Sequence, residues 1–455
     1  MNWIKSLPGR IPGTQYGIIK PYDELKSYMD RIRVVDTHEH HFFDGSMVSR
    51  EYGFFRDSFY FICDMVSAGM PLPEKDPLIM TKSADELWGT VGDYYNYSRA
   101  TSYHAQLMYG FKKLYGIDKT YLTREDIIDL ESRVSANYQN YYNKWFDTAF
   151  KICNFEVMFV DQYWNHFNVD YDKAHFALVF RVNSLIAHIA SAASDKKITD
   201  PGLLKLLKSD PLPVDTIDDY IVAADMALKL NLANDAVCLK NALAYERSVD
   251  FEYITYDEAK LLFIKKNPDE PDLKKLQDFM FHWLIQKSIE LKLPVQIHTG
   301  YLHHNTNQLD NGHPMKLLPL FIRYPEATFV IFHGGYPWTS EFVALGKHFK
   351  NVYVDIVWLP AISRTVAIQT LHEILDCVPY NKICWGGDVT TIEESAGALE
   401  LAKEVVATVL SERIEKGWLD QELAKEIARR IFRENAIDIY NLENKRNIRK
   451  QINTD

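Results

Sequence analysis

The 455-residue sequence predicts a (β/α)8 TIM barrel of the α/β class. Eight short apolar runs of strand character alternate with longer amphipathic segments, which is the pattern of βα units and a parallel sheet. Several of these runs also end on a residue suited to bind metal: His38 and His40, His298, His333 and Asp388. In a parallel barrel the carboxyl ends of all strands meet on one face, so residues distant in sequence can converge there on one ion.

The elements follow in order. Residues 33–40 form the first run, and because a strand turns alternate side chains to opposite faces, His38 and His40 point the same way, with Glu39 turned into the barrel wall. Next comes an irregular stretch, roughly 44–151, rich in Tyr, Phe and Trp. It has helical periodicity over 84–114 and a helix start at Thr123, with Asp126 three residues on. Placed after the first strand, it would sit over the catalytic mouth as a lid, or else form an extra helical layer around its own aromatic core. Further strands are expected at 155–160, 176–180, 236–240, in the runs closing on His298 and His333, at 352–357, and before Asp388. A helix is expected over 272–291, where Leu276, Phe279, Met280, Trp283 and Leu284 recur at helical spacing, and 209–213 reads as a linker. The whole chain, 1–455, therefore reads as one barrel domain with a helical insertion.

Composition narrows the function. A formal charge of -11 without a concentrated basic patch argues against nucleic acid or an anionic membrane as partner; the basic run at 444–450 reads as a solvated tail. The five cysteines are dispersed and form no Cys-x-x-Cys pair, as expected for reduced thiols. Residues 1–10 lack the apolar core of a secretory signal, and no run approaches the ~20 apolar residues that span a bilayer. The expectation is a cytoplasmic protein with a small-molecule substrate; homo-oligomerisation stays open.

Single signals are weak. With 15 His in the chain, a His-x-His pair arises by chance roughly 0.5 times. Joint occurrence at strand ends is what gives His38, His40, His298 and Asp388 weight as metal ligands. A His/Asp set suits Zn first, with Mn or Fe as alternatives, better than the all-oxygen shell of Ca. A divalent ion would bring the pKa of water toward ~7 and polarise a carbonyl. Asp388 would carry the proton, and His333 would stabilise the developing oxyanion. Arg181 and Arg247 either clamp a substrate carboxylate or make ordinary salt bridges. His303 and His304, near the mouth, read as solvated loop residues with substrate contact as the alternative, and Asp355 as a buried, hydrogen-bonded carboxylate with support of the metal as the alternative.

Together, Val-Asp-Thr-His-Glu-His at 35–40, Gln-Ile-His-Thr-Gly at 296–300, Phe-His-Gly-Gly at 332–335, Trp-Gly-Gly-Asp at 385–388 and Phe-Arg-Glu-Asn-Ala at 432–436 resemble the amidohydrolase superfamily, specifically its amidohydrolase-2 group of metal-dependent barrel hydrolases. The insertion after the first strand is similar to that of uronate isomerases, and the segment 240–247 to barrels related to the nodulin-like domain fused to some glutamine synthetases. The resemblance implies that His38, His40 and Asp388 bind a divalent cation, with His298 a further ligand. His333 would hold a second ion or polarise the substrate. Lys240 matches a fourth-strand lysine that is carboxylated and bridges two metals in binuclear members, so one ion or two remain open. The expected activity is hydrolysis of a small, carboxylate-bearing molecule, with Asp388, His333 and Lys240 as catalytic groups. The alternatives are uronate isomerase-like aldose-ketose isomerisation, metal-dependent decarboxylation, and a non-catalytic metabolite-binding barrel.

Overall fold

A computed structural model describes residues 20–42, 51–139 and 141–443. The tail at 444–450, the stretch 1–10 and residues 43–50 of the insertion lie outside these. Eight parallel strands follow one another around the sheet: β1 (Val34–Glu39), β2 (Phe155–Asp161), β3 (Phe176–Arg181), β4 (Cys238–Asn241), β5 (Val295–Ile297), β6 (Phe329–Ile331), β7 (Val352–Asp355) and β8 (Ile383–Cys384). Each coincides with one of the eight predicted runs. They are apolar on both faces because both are covered, by the barrel interior on one side and helices on the other.

The barrel closes through single backbone hydrogen bonds rather than a regular ladder. The Thr37 amide donates to the Trp385 carbonyl (3.3 Å), Asp388 to His38 (2.8 Å) and His40 to Val389 (2.8 Å). This seam is tight enough to require Gly386, where a Cβ would stand 2.8 Å from the His38 nitrogen, and Gly387, where it would strike the Glu39 carboxylate. Glu39 does turn into the wall, its Oε2 accepting from the Val389 amide (2.7 Å).

Between β1 and β2 the described residues are mainly helical. The three longest helices there are α1 (Ala84–Ser98), α2 (Ser102–Tyr115) and α3 (Arg124–Tyr138). The single periodic stretch at 84–114 is split because Thr101 caps a new helix, its side chain accepting from the His104 amide. Thr123 and Asp126 form the capping box that starts α3. A capping box of Asp269 and Asp272 starts α4 (Glu270–Leu291). The predicted linker is partly ordered: Leu212–Pro213 pairs antiparallel with Lys197–Ile198.

The insertion is fastened to α5 (Ile392–Glu415), the helix that follows β8. Where α2 crosses α5, a Cβ on Gly110 would overlap the Glu393 carbonyl oxygen and one on Gly397 the Gln106 carbonyl oxygen, so both positions must be glycine for the backbones to touch. Gln106 Nε2 donates to the Glu394 carbonyl at 3.1 Å. Beside this crossing the buried Glu393 carboxylate accepts from Tyr115 Oη (2.7 Å), Tyr138 Oη (2.8 Å) and Trp145 Nε1 (2.8 Å), all from the segment between β1 and β2. Three donors offset part of the cost of burying that carboxylate, although burial still raises its pKa.

Candidate metal centre

Four side chains meet at the carboxyl ends of β1, β2 and β8. His38 Nε2 lies 3.3 Å from Asp161 Oδ2 and 3.8 Å from Asp388 Oδ1, and His40 Nε2 lies 3.0 Å from Asp388 Oδ1. Metal bonds of about 2.0–2.2 Å set neighbouring N and O ligands roughly 2.9–3.4 Å apart, and two of these three separations fall in that range. The register of β1 against β2 is irregular between Asp36 and Glu39, the kind of local break that re-aims side chains beside functional sites.

The ring tautomers test the fit to a cation. His40 Nδ1 faces the Asp161 carbonyl at 2.8 Å, so it carries the proton. Gln296 Nε2 donates to the Thr37 carbonyl (3.0 Å) and to Tyr440 Oη (2.9 Å), which turns its Oε1 toward His38 Nδ1 at 3.1 Å and makes that nitrogen a donor too. Both Nε2 atoms therefore present lone pairs to carboxylate oxygens, an arrangement that is repulsive unless a cation lies between. Both oxygens of the buried Asp161 carboxylate also lack a hydrogen bond of normal geometry, although Arg181 Nε stands 3.1 Å from Oδ2. The residues fit a divalent ion.

Protonation agrees. Burial works to raise the Asp388 carboxyl, and positive charge on the surrounding imidazoles, His40 first, would hold it well below the usual range, the role a bound cation would take over. Burial of Asp161 is likewise outweighed, by the Arg181 guanidinium first. Burial, then the Lys240 charge, pushes His38 down to about 4. Near neutral pH His38 is a neutral imidazole and Asp161 an ionised carboxylate, the states that ligate.

The other predicted residues are placed differently. His298 does not face the cluster; its Nδ1 meets His333 Nε2 at 2.9 Å and its Nε2 meets the Tyr301 carbonyl at 2.8 Å. His333 Nδ1 lies 3.2 Å from the Val357 carbonyl and 3.8 Å from Asp388 Oδ2. Burial holds both rings low, His333 at about 3. These three ring contacts would need three protons, and two neutral imidazoles carry two, so one of the three contacts is left without a proton to share. Lys240 sits on β4 with its Nζ 3.4 Å from the centre of the Phe332 ring, and burial pushes it down to about 7. Arg247 is drawn away, paired with Asp278 of α4 and lying over the Phe251 ring. Asp355 accepts from Thr37 Oγ1 (2.7 Å) and the Val357 amide (2.9 Å), as expected of a buried carboxylate.

His40 and Arg181 line a cavity of about 170 Å3, walled by Phe59, Tyr60, Tyr163, Tyr245, His303 and His304. Phe59 and Tyr60 come from the insertion, and Tyr60 Oη donates to the Asp388 carbonyl at 2.6 Å. Parts of the insertion thus reach the His/Asp cluster. Elsewhere in the insertion, Arg56 lines an adjoining cavity of about 290 Å3, whereas Trp88 packs against Phe55 and Tyr95. His303, read from sequence as solvated, is buried and stacks parallel on Phe59 with ring centres 4.4 Å apart. Backbone strain gathers here as well: His333 (φ 64°), Trp358 (φ 62°) and Asp388 (φ 61°) are all left-handed, a cost of about 1–3 kcal/mol each that persists only where the surroundings impose it.

Sequence reasoning missed Asp161, Gln296, Tyr60 and His303. Asp161 had a readable signal, since it closes the second strand as His38 and Asp388 close theirs, one residue beyond the predicted end. The other three become functional only through contacts between separate segments.

Residues 236–442 match the amidohydrolase family model, whose span begins just before β4 and ends near the last described residue. Over that span, a little under half of its length, this TIM barrel is similar to the amidohydrolase family. Among curated proteins it is similar to Protein fluG of Emericella nidulans, 29% identical over 171 residues; the match covers 35% of this chain and 20% of that relative's length. Two solved structures share the barrel's fold over nearly its whole length. One is a uronate isomerase from Thermotoga maritima (12% identity, TM-score 0.74, 95% of this chain and 100% of that one). The other is a glucuronate isomerase from Caulobacter crescentus (14% identity, TM-score 0.71, 93% and 94%). Among the described residues no helix is long and apolar enough to cross a membrane.

Proposed function

We propose that this barrel is a metal-dependent hydrolase of a small, carboxylate-bearing molecule, with His38, His40, Asp161 and Asp388 holding the ion and Zn the first choice. The observation that supports it most is the pair of Nε2 lone pairs turned onto two buried carboxylates, which calls for a cation. Such an ion acidifies water and polarises a carbonyl, the two needs of amide or ester hydrolysis.

The chain supplies the rest. Asp388, ionised and beside His40 and His333, is placed to accept a proton at a carboxylate oxygen and return it to a leaving group. His333 is the neutral partner for a developing oxyanion, and Lys240, with a pKa pushed to about 7, is an alternative base at neutral pH. Arg181 faces the cavity with its guanidinium balanced by Asp161, suited to orient a substrate carboxylate. Arg247 has no part in this reading.

The walled cavity favours a second reading, isomerisation of a uronic acid, the substrate class named for the two solved relatives. Phe59, Tyr60 and His303 set aromatic rings along the cavity wall, a surface suited to the apolar face of a sugar acid. A screen of amides, esters, lactones and uronic acids, with the metal-loaded protein in 18O-labelled water, separates the two: hydrolysis puts label into the carboxylate product, isomerisation does not. Elemental analysis that finds no bound metal before or after reconstitution overturns both, and leaves a non-catalytic barrel.

A further inference from the structure

A second donor set lies in the roof of the cavity, apart from the His38/His40 cluster. Cys63 on the helix Phe61–Ser67, Glu74 in the following turn and His303 in the loop after β5 bring a sulfur, a carboxylate oxygen and a ring nitrogen within 4.8 Å of one another. Cys63 Sγ is 3.4 Å from His303 Nε2. In a tetrahedral zinc site, with bonds of about 2.3 Å to sulfur and about 2.0 Å to nitrogen, those two ligands stand roughly 3.5 Å apart.

We propose that Cys63, Glu74 and His303 form a second transition-metal site, a Zn-type Cys/Glu/His centre that pins the insertion to the loop after β5. Two further features support it. The roof is held as if to aim these groups: the His303 amide meets Tyr245 Oη at 3.2 Å, its ring is clamped on Phe59, and Asn305 Nδ2 donates to the Cys63 carbonyl at 3.3 Å. Neighbouring His304, itself in the left-handed region (φ 83°), pairs with the Glu74 carboxylate and stands ready as a fourth donor or as its anchor. The set is also chemically distinct from the floor cluster. A thiolate with one imidazole selects zinc-like ions, whereas the His/Asp cluster accepts a wider range.

Cobalt(II) is the probe, because thiolate ligation gives a near-ultraviolet charge-transfer band that an all-His/Asp site cannot give. Titrated with cobalt, the metal-free full chain should develop this band, and Cys63→Ser should lose it together with one equivalent of bound metal. The double variant His38→Ala/His40→Ala should keep the band, so this site stands or falls separately from the floor cluster. In the unmodified protein, zinc should slow alkylation of Cys63 at least tenfold, read by peptide mass spectrometry, and leave the half-buried Cys377 unchanged. Absence of the band at cobalt saturation, its persistence in Cys63→Ser, or equal alkylation of Cys63 with and without zinc would each overturn the proposal.

Discussion

The floor and the roof of the cavity are built on opposite principles. On the floor, His38 and Asp161 issue from strands and Asp388 from the short turn after one, and their positions are set by backbone pairing that also makes the barrel. On the roof, Phe59, Tyr60, Cys63 and His303 come from short helices and loops, fixed by ring stacking and side-chain hydrogen bonds. Rigid strand ends hold ligands to the tolerance a metal demands, while a roof assembled from separate segments can vary its contents without disturbing the barrel. On the proposed reading, the floor carries the chemistry and the roof the selectivity.

The largest test is Asp388→Asn. Asn matches the size of Asp but neither carries a proton at neutral pH nor ligates as an anion, so kcat should fall between roughly 10²- and 10⁴-fold while the far-ultraviolet circular dichroism is unchanged. Full turnover would remove the chemistry from the floor. Next is the joint between roof and barrel. Gly397→Ala forces a methyl group into the Gln106 carbonyl, and the two backbones must separate; a loss of about 3 kcal/mol in urea unfolding is expected. A near-neutral result would show that the roof is loosely attached.

A smaller effect should come from Glu394, which accepts from the Phe59 amide (3.2 Å) and from Thr390 and Thr391. Burial raises its carboxyl to about 7 from 4.5. Because the folded pKa is the higher one, its favourable contribution is complete below pH ~4.5 and is lost as pH rises through ~7, at most about 3 kcal/mol in all. Glu394→Gln keeps an acceptor oxygen but cannot ionise, so its stability relative to the wild type should improve between pH 5 and pH 8. A pH-independent difference would place the titration elsewhere. The smallest effect belongs to Arg247→Ala: with that guanidinium committed to Asp278, KM should stay within about twofold, whereas Arg181→Ala should raise KM about tenfold or more. Equal effects would return Arg247 to the substrate.

The same contrast explains what could be read in the sequence. All eight strands were legible because an apolar run with a polar end is a local pattern, and His38, His40 and Asp388 stood out as polar groups closing such runs. Asp161 escaped only because its strand was ended at Val160. The roof was not legible. A loop histidine in a His-His-Asn context looks solvated until a phenylalanine some 240 residues away stacks on it, and nothing local marks Cys63 as its neighbour. His298 shows the converse: it closes its strand as predicted, yet its ring is turned aside by a carbonyl and by His333.

The glycine crossing also governs when this molecule can become whole during synthesis. Gln106 of α2 meets Glu394 of α5 across 288 residues of chain, and the seam between β1 and β8 spans a comparable interval. At about 5–20 residues per second, the segment between β1 and β2 leaves the ribosome roughly 15–60 s before the helix it must clasp. Through that interval its aromatic face has no α5 to cover it, so chaperone demand should concentrate on this early half of the chain.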